Sequence, residues 1–172
     1  MATPRRDLRI EPLAPQHNRD GFSCGVDSLD RYLRTQANQD VRRKANGVFI
    51  LVETARPETV LGYYTLCATG LPQGEVPAAA RKHVPRYPLV SATLVGRLAV
   101  SARQGELLGA LLLADAVCRA YASAPIIGSS MLVVDAINER AAAFYEGNGF
   151  VRLPDSMRLV LPLQVVERML RP

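Results

Sequence analysis

Residues 94–116, LVGRLAVSARQGELLGALLLADA, pass from an apolar stretch through a short polar turn into a longer apolar stretch, with Gly105 and Gly109 near the join. The flanking run 89–100 predicts a strand, and residues 106–122 are too long for one and predict a helix. A strand that hands over directly to a helix is committed to a mixed α/β sheet rather than an all-β or all-α architecture. The helix is apolar nearly all round, which predicts a central position. Its first turn presents unpaired backbone N–H groups, an arrangement that can hold phosphate. No GK[ST] follows, so this is not a P-loop, and it is not the GxGxxG dinucleotide turn. On this spacing alone a plain strand–turn–helix connection stays open.

The remaining chain fits the same class. LRIE (8–11) opens a short strand. Residues 22–45 predict a helix that Asp27 or Ser28 can cap, with Leu29, Leu33, Ala37, Val41 and Ala45 on one stripe. Residues 47–54 and 60–72 predict an antiparallel hairpin, and the Pro-rich 73–89 holds a short helix at PAAARKHV. MLVVDAI (131–137) predicts a strand buried on both faces, and NERAAAFYEGNG a helix stopped by Gly147 and Gly149. One or two strands and a last short helix close the chain. No linker divides it, so 1–172 is expected to form a single domain.

Composition excludes several classes. At 172 residues, with 48% hydrophobic and 22% charged side chains, the chain suits one globular domain that needs neither disulfides nor metal. Apolar runs stay shorter than the roughly 18 residues of a membrane span, and no apolar segment follows the basic N-terminus, so a cytoplasmic location without a membrane is expected. Cys24, Cys67 and Cys118 form no CxxC and, with His17 and His83, no zinc spacing; all three are expected to be buried thiols, the histidines loop residues, and no metal is expected. Lys+Arg 21 against Asp+Glu 16 gives a net charge of +5. The excess clusters at Arg31, Arg34, Arg42 and Arg43, and again at Arg81, Lys82 and Arg86. Such clusters are either solvated helix faces or a footprint for an anionic partner.

Two segments in order give a more specific pointer. Gln104, Leu107 and Gly109 stand at the defining positions of a Q/R-x-x-G-x-G/A loop, and AAAFYEGNGF (141–150) follows the next strand. This pattern resembles the GNAT N-acetyltransferase family. FSCGVDSLDRYLRTQANQD (22–40), VLGYYTLCA (60–68), PRYPLVSATLVGRLAV (85–100) and VVDAINERAAAFYEGNGF (133–150) resemble, within it, the acetyltransferase toxins of type II toxin–antitoxin systems. The likeness covers about residues 12–163. It implies the α/β (α+β) GNAT acyltransferase fold, a central mixed, mostly antiparallel sheet flanked by helices. It further implies acetyl transfer from acetyl-CoA to the α-amino group of aminoacyl-tRNA, a homodimer, and an antitoxin with a ribbon-helix-helix or similar DNA-binding domain. By residue, it implies coenzyme contacts at Leu98, Ala99, Val100, Gln104, Gly105, Leu107, Leu108, Gly109, Ala110 and Phe144, and Tyr145 beside the thioester. One departure stands out: Leu107 replaces the middle glycine. Its N–H remains, but a need for positive φ or very close phosphate approach would make leucine costly there.

The chemistry is consistent with these residues. A tyrosine with its ordinary pKa of about 10 stays protonated at pH 7 and can donate to a departing thiolate. Backbone N–H groups at Leu98–Val100 would face the oxyanion, as the resemblance implies. No general base is evident, although a water-relayed carboxylate such as Asp135 stays open. An α-amine of pKa near 7.7–8.0 is neutral at pH 7 to a roughly several-hundredfold greater extent than a lysine near 10.4, which favours an α-amino acceptor. The seven basic residues named above, Arg86 within PRYP among them, are candidates for tRNA phosphates. The alternative is a GNAT enzyme acting on a small-molecule or protein amine.

Overall fold

The segment 89–127 forms the predicted strand and helix, and the chain returns in parallel. In the computed structural model, which describes residues 5–104 and 107–171, β4 (Leu89–Val100) leads into α4 (Leu107–Ile127) and then β5 (Met131–Asp135). β4 and β5 pair in parallel from Ala92–Met131 to Val95–Val134. A crossover helix is what permits that direction, because a tight turn would force antiparallel pairing.

Before this unit lie β1 (Leu8–Pro12), α1 (Asp27–Thr35), α2 (Ala37–Arg42), β2 (Gly47–Glu53), β3 (Gly62–Pro72), a 3-10 turn at Gln73–Glu75, and α3 (Ala78–Arg81). After it come α5 (Glu139–Gly147), β6 (Val151–Arg152), β7 (Arg158–Pro162) and α6 (Leu163–Leu170). The strands form a seven-stranded sheet in the order β1-β2-β3-β4-β5-β7-β6. Pairing is antiparallel at β1–β2, β2–β3, β5–β7 and β6–β7. The mixed, mostly antiparallel sheet expected of a GNAT fold is therefore present.

The chain divides into two compact units, Met1–Leu66 with Arg97–Asp115, and Cys67–Gly96 with Ala116–Pro172. In the first, Phe22, Tyr32, Leu33, Ala37, Val48, Ile50, Val52, Val60, Tyr63 and Ala99 form one buried cluster. A fully buried Leu33 alone is worth about 2–3 kcal/mol of transfer free energy. In the second, Leu71, Val76, Val90, Met131, Val133, Leu153 and Val160 form the core. Asn138 caps α5 by accepting from the Ala141 N–H at 2.9 Å, an interaction worth about 1 kcal/mol.

Several expectations are corrected. The helix over 22–45 is two helices that break at Gln36, whose backbone leaves the helical region (φ −121°). Leu33 and Ala37 stay buried across the break, but Ala45 is exposed. Neither Asp27 nor Ser28 caps α1. Val26 occupies that position without a side-chain bond, and buried Asp30 instead accepts from the Cys24 N–H at 2.9 Å. The cysteines are not buried thiols: Cys24 and Cys67 are half-buried and Cys118 is exposed. His17 is buried rather than a surface loop residue.

α4 also differs. It runs to Ile127, through Pro125, and by length and composition is apolar enough to cross a membrane, although its uninterrupted apolar runs are short as expected. It is not central either. Leu108, Leu112, Leu113, Ala116 and Ala120 are buried on one stripe, whereas Leu107, Leu111, Ile126 and Ile127 are exposed. Asp115 and Arg119 interrupt the apolar surface mid-helix.

Candidate active site

The loop between β4 and α4 belongs to the first unit. Its backbone is tied down on both sides: the Ser101 N–H donates to the Leu61 carbonyl at 2.8 Å and the Ala102 N–H to the Ser23 carbonyl at 2.9 Å. Gln104 closes a turn on the Ser101 carbonyl at 2.9 Å, while its side-chain oxygen accepts from Arg6 Nη1 at 2.6 Å. Gln104 thus spends its side chain on the protein, and its contribution to a ligand would come through the main chain. A cleft of about 490 Å³ lies beside this loop, lined among others by Arg6, Arg56, Ser101, Arg103 and Gln104. The sequence pattern had not singled out Arg6, Arg56 or Arg103, because isolated arginines in loops carry no periodic signal.

Leu107 opens α4 with helical backbone, and positive φ among non-glycine described residues occurs at Lys44 and Asp155. The conformational objection to leucine at this position is thereby removed. Its side chain is 85% exposed, so it does not fill the space over the helix end. Leu108 is buried and anchors the turn, Gly109 is half-buried, and Ala110 is exposed. Gly105 lies outside the described residues. The first turn of α4 carries Gly109 and Ala110, and the N–H groups of such a turn have no partner within the helix and can hold phosphate. In β4, Ala99 is buried while Leu98 and Val100 are half-buried.

Tyr145 belongs to the second unit, on α5. It is 7% exposed, with ring centroids of Phe144 and Phe150 at 5.3 and 5.6 Å in edge-on contact. Burial pushes its phenol up to about 12. Among the described residues its hydroxyl has no hydrogen-bond partner. The ring is buried but the hydroxyl is not an orphaned buried atom, so the phenol stays protonated with its donor available. In the same unit a cleft of about 680 Å³ is lined by Glu75, Val76, Arg81, Asp135, Leu153 and Arg158, among others. Asp135 pairs with both Nε and Nη2 of Arg158 at 2.7 and 2.9 Å. That pairing fixes the Asp135 carboxylate against Arg158.

The basic residues separate by unit. Arg31, Arg34, Arg42 and Arg43 are exposed on α1 and after it in the first unit, and Arg81, Lys82 and Arg86 are exposed in the second. Arg81 alone of these is oriented by a bond, from Nε to the Val76 carbonyl at 2.9 Å. His83 places Nδ1 2.9 Å from Gln164 Oε1, and His17 Nε2 lies 2.8 Å from Glu11 while its Nδ1 accepts the Ala14 N–H. Both histidines are thus occupied in structural contacts. Among the described residues no group of His, Cys, Asp and Glu could hold a metal ion.

No protein-family model matches the chain. It is 34% identical over 142 residues to the tRNA-acetylating toxin of Mycobacterium tuberculosis, covering 81% of this chain and 82% of that protein. The structure of AtaT complexed with acetyl-methionyl-tRNAfMet superposes with a TM-score of 0.87 at 30% identity, covering 96% of this chain and 100% of that one. A tyrosine-to-phenylalanine mutant of AtaT, bound to the C-terminus of the antitoxin AtaR and acetyl-CoA, superposes with a TM-score of 0.80 at 29% identity, covering 96% and 99%.

Proposed function

The chain belongs to the family of GNAT-type tRNA-acetylating toxins, and from that premise we propose that it transfers the acetyl group of acetyl-CoA to the α-amino group of an aminoacyl-tRNA, so blocking translation. The observation that carries this reading is Tyr145, a buried phenol held protonated with its hydroxyl unspent, on the helix where the family pattern puts its tyrosine.

The transfer balances with few groups. The neutral amine attacks the thioester carbonyl, a C–N bond forms and the C–S bond breaks. The amine loses one proton and the coenzyme sulfur gains one. A phenol near 12 is a weaker acid than a thiol near 8.5, so Tyr145 acts by donating a hydrogen bond to the sulfur as negative charge develops there. The loop residues Gln104, Gly105, Leu107, Leu108, Gly109 and Ala110 hold the pyrophosphate through main-chain N–H groups, and Phe144 packs beside the coenzyme. Backbone groups of Leu98–Val100 meet the carbonyl oxygen and the coenzyme's amides. This assignment is supported by β4, which runs on to Val100 beyond Val95, its last residue paired with β5. With both histidines and Asp135 engaged, proton removal falls to solvent, which suits an α-amine that is already substantially neutral.

The exposed arginines of α1 and α2, with Arg81, Lys82 and Arg86, supply phosphate contacts for the tRNA. Arg81 is the best organised of them, since its bond to Val76 leaves the two terminal nitrogens free. The whole of 1–172 acts as one catalytic domain in the cytoplasm, as a homodimer, and is neutralised by an antitoxin carrying a ribbon-helix-helix or similar DNA-binding domain. The AtaT complexes with tRNA, acetyl-CoA and AtaR support these partner assignments.

The test is direct. Purified protein with labelled acetyl-CoA and a panel of aminoacyl-tRNAs should yield N-acetyl-aminoacyl-tRNA, with a KM that rises steeply with salt. Reversal of Arg31 and Arg34 together should raise that KM and leave acetyl-CoA affinity unchanged. Ready acetylation of lysine peptides or small amines, with aminoacyl-tRNA untouched, would overturn the assignment.

A further inference from the structure

We propose that Arg97 receives a phosphate of the tRNA acceptor end, through guanidinium edges left unpaired by its stacking on Tyr32. This rests on aminoacyl-tRNA being the acceptor, as proposed above. Arg97 was not among the basic residues that the sequence singled out.

The geometry is that of a receptor waiting for an anion. The Arg97 Cζ atom lies 3.6 Å from the centroid of the Tyr32 ring, so the flat guanidinium rests on the ring face. A face-on stack uses the π-cloud and leaves the in-plane N–H donors directed outward. The platform is itself fixed. Tyr32 stacks against Tyr63, with centroids 6.3 Å apart and planes 17° from parallel. Its hydroxyl donates to Asp40 Oδ2 at 2.8 Å.

Asp40 is the acidic neighbour; it attracts Arg97 at a distance, while its oxygens are engaged by three other donors. Oδ2 also accepts from Asn46 Nδ2 at 3.0 Å, and Oδ1 from Gln36 Nε2 at 2.9 Å. Among the described residues Arg97 makes no ion pair, yet it is half-buried. A cation that has lost part of its hydration without a carboxylate in direct contact gains from an incoming anion. Two parallel N–H donors at one guanidinium edge match a phosphate's two oxygens.

Which phosphate is decided by the strand. Arg97 and Ala99 point to the same face of β4, and Ala99 is buried with Tyr32, Leu33 and Phe22 on the α1 side. Leu98 and Val100 point to the other face. The α1 and α2 surface of this unit carries Arg31, Arg34, Arg42 and Arg43, a positive field suited to a polynucleotide rather than to one small ligand.

The experiment compares wild type with R97M and R97K. Three quantities are measured: KM and kcat for acetylation of aminoacyl-tRNA, the salt dependence of that KM, and acetyl-CoA affinity by calorimetry. R97M should raise the KM about 10–100-fold, the worth of one charge-assisted bidentate contact. The log KM against log salt slope should shrink by about 0.7–0.9, one phosphate. Acetyl-CoA affinity should be unchanged, which also certifies folding. R97K keeps the charge without the planar fork and should remain impaired. If R97M does not fold, the R97K comparison decides. An unchanged KM and salt slope would overturn the proposal, as would full activity in R97K. Weakened acetyl-CoA binding with an unchanged tRNA KM would also overturn it and give Arg97 to the coenzyme. A wild type that acetylates no aminoacyl-tRNA defeats the underlying assignment. Wild-type acetylation with a silent R97M defeats this inference alone.

Discussion

Replacing Tyr145 with phenylalanine separates chemistry from packing, because the structure assigns the ring and the hydroxyl different work. The ring is 7% exposed and meets Phe144 and Phe150 edge-on, and phenylalanine keeps all of that. Among the described residues the hydroxyl has no hydrogen-bond partner, so its removal costs no protein contact. Nor is the hydroxyl an orphaned buried atom, so its removal relieves no unsatisfied burial. Stability should therefore stay level, within about 1 kcal/mol, or about 3 °C in Tm for a chain of this size. Turnover on aminoacyl-tRNA should fall about 10²–10³-fold, the usual worth of one hydrogen-bond donor aimed at developing charge. Acetyl-CoA affinity should hold, since the interaction develops with the leaving thiolate. Single-turnover acetylation, calorimetry with acetyl-CoA and thermal unfolding read the three quantities. The wild-type rate should rise with pH through the α-amine's range and show no alkaline fall before about pH 10, because burial holds the phenol near 12. A loss of turnover under threefold, or a large loss accompanied by clear destabilisation, would refute this hydrogen-bonding role.

Gly109→Glu should abolish acetyl-CoA binding in calorimetry, since it adds bulk and a negative charge in the first turns of α4; retained binding would place the pyrophosphate elsewhere. His17→Ala should destabilise the protein by about 2–4 kcal/mol in denaturant titration, because it empties a buried site and strips partners from Glu11 and the Ala14 N–H. Acetylation at low temperature should be unaffected by that change, and a selective loss of activity would give His17 a catalytic role. Asp40 is held below the usual carboxylate range, chiefly by the hydrogen bond from Gln36 and then those from Tyr32 and Asn46. A depressed folded-state pKa contributes stability above the unfolded value near 3.9 and loses it as pH falls through the folded value. D40N should therefore flatten the acid limb of the stability curve below about pH 4, and an unchanged limb would show that other carboxylates govern it.

Periodicity and turn chemistry were enough to read β4, α4, β5 and α5 in order, because each is long or strongly patterned and ends at a polar or glycine-marked turn. The family pattern then assigned Gln104, Leu107, Gly109 and Tyr145 their positions, and the sheet expected from it is the sheet observed. Side-chain partners across the fold lay beyond that kind of reading. The stripe from Leu29 to Ala45 predicts one helix, whereas the backbone leaves the helical region at Gln36 and Asp40 gathers Gln36, Tyr32 and Asn46 around its two oxygens. His17 reads as a loop residue until Glu11 and the Ala14 N–H are found on its two ring nitrogens. α4 reads as central because it is apolar all round, but burial is decided by what packs on each face, and one of its faces stays exposed. Arg97 is the clearest case. Its sequence signal was an arginine between Val95 and Ala99 on the inward face of a strand. Its meaning depends on Tyr32, a residue distant in the chain, lying under its guanidinium. Local periods fix elements because they act between near neighbours along the chain. The partner of a charge is set by segments that meet only when the chain folds.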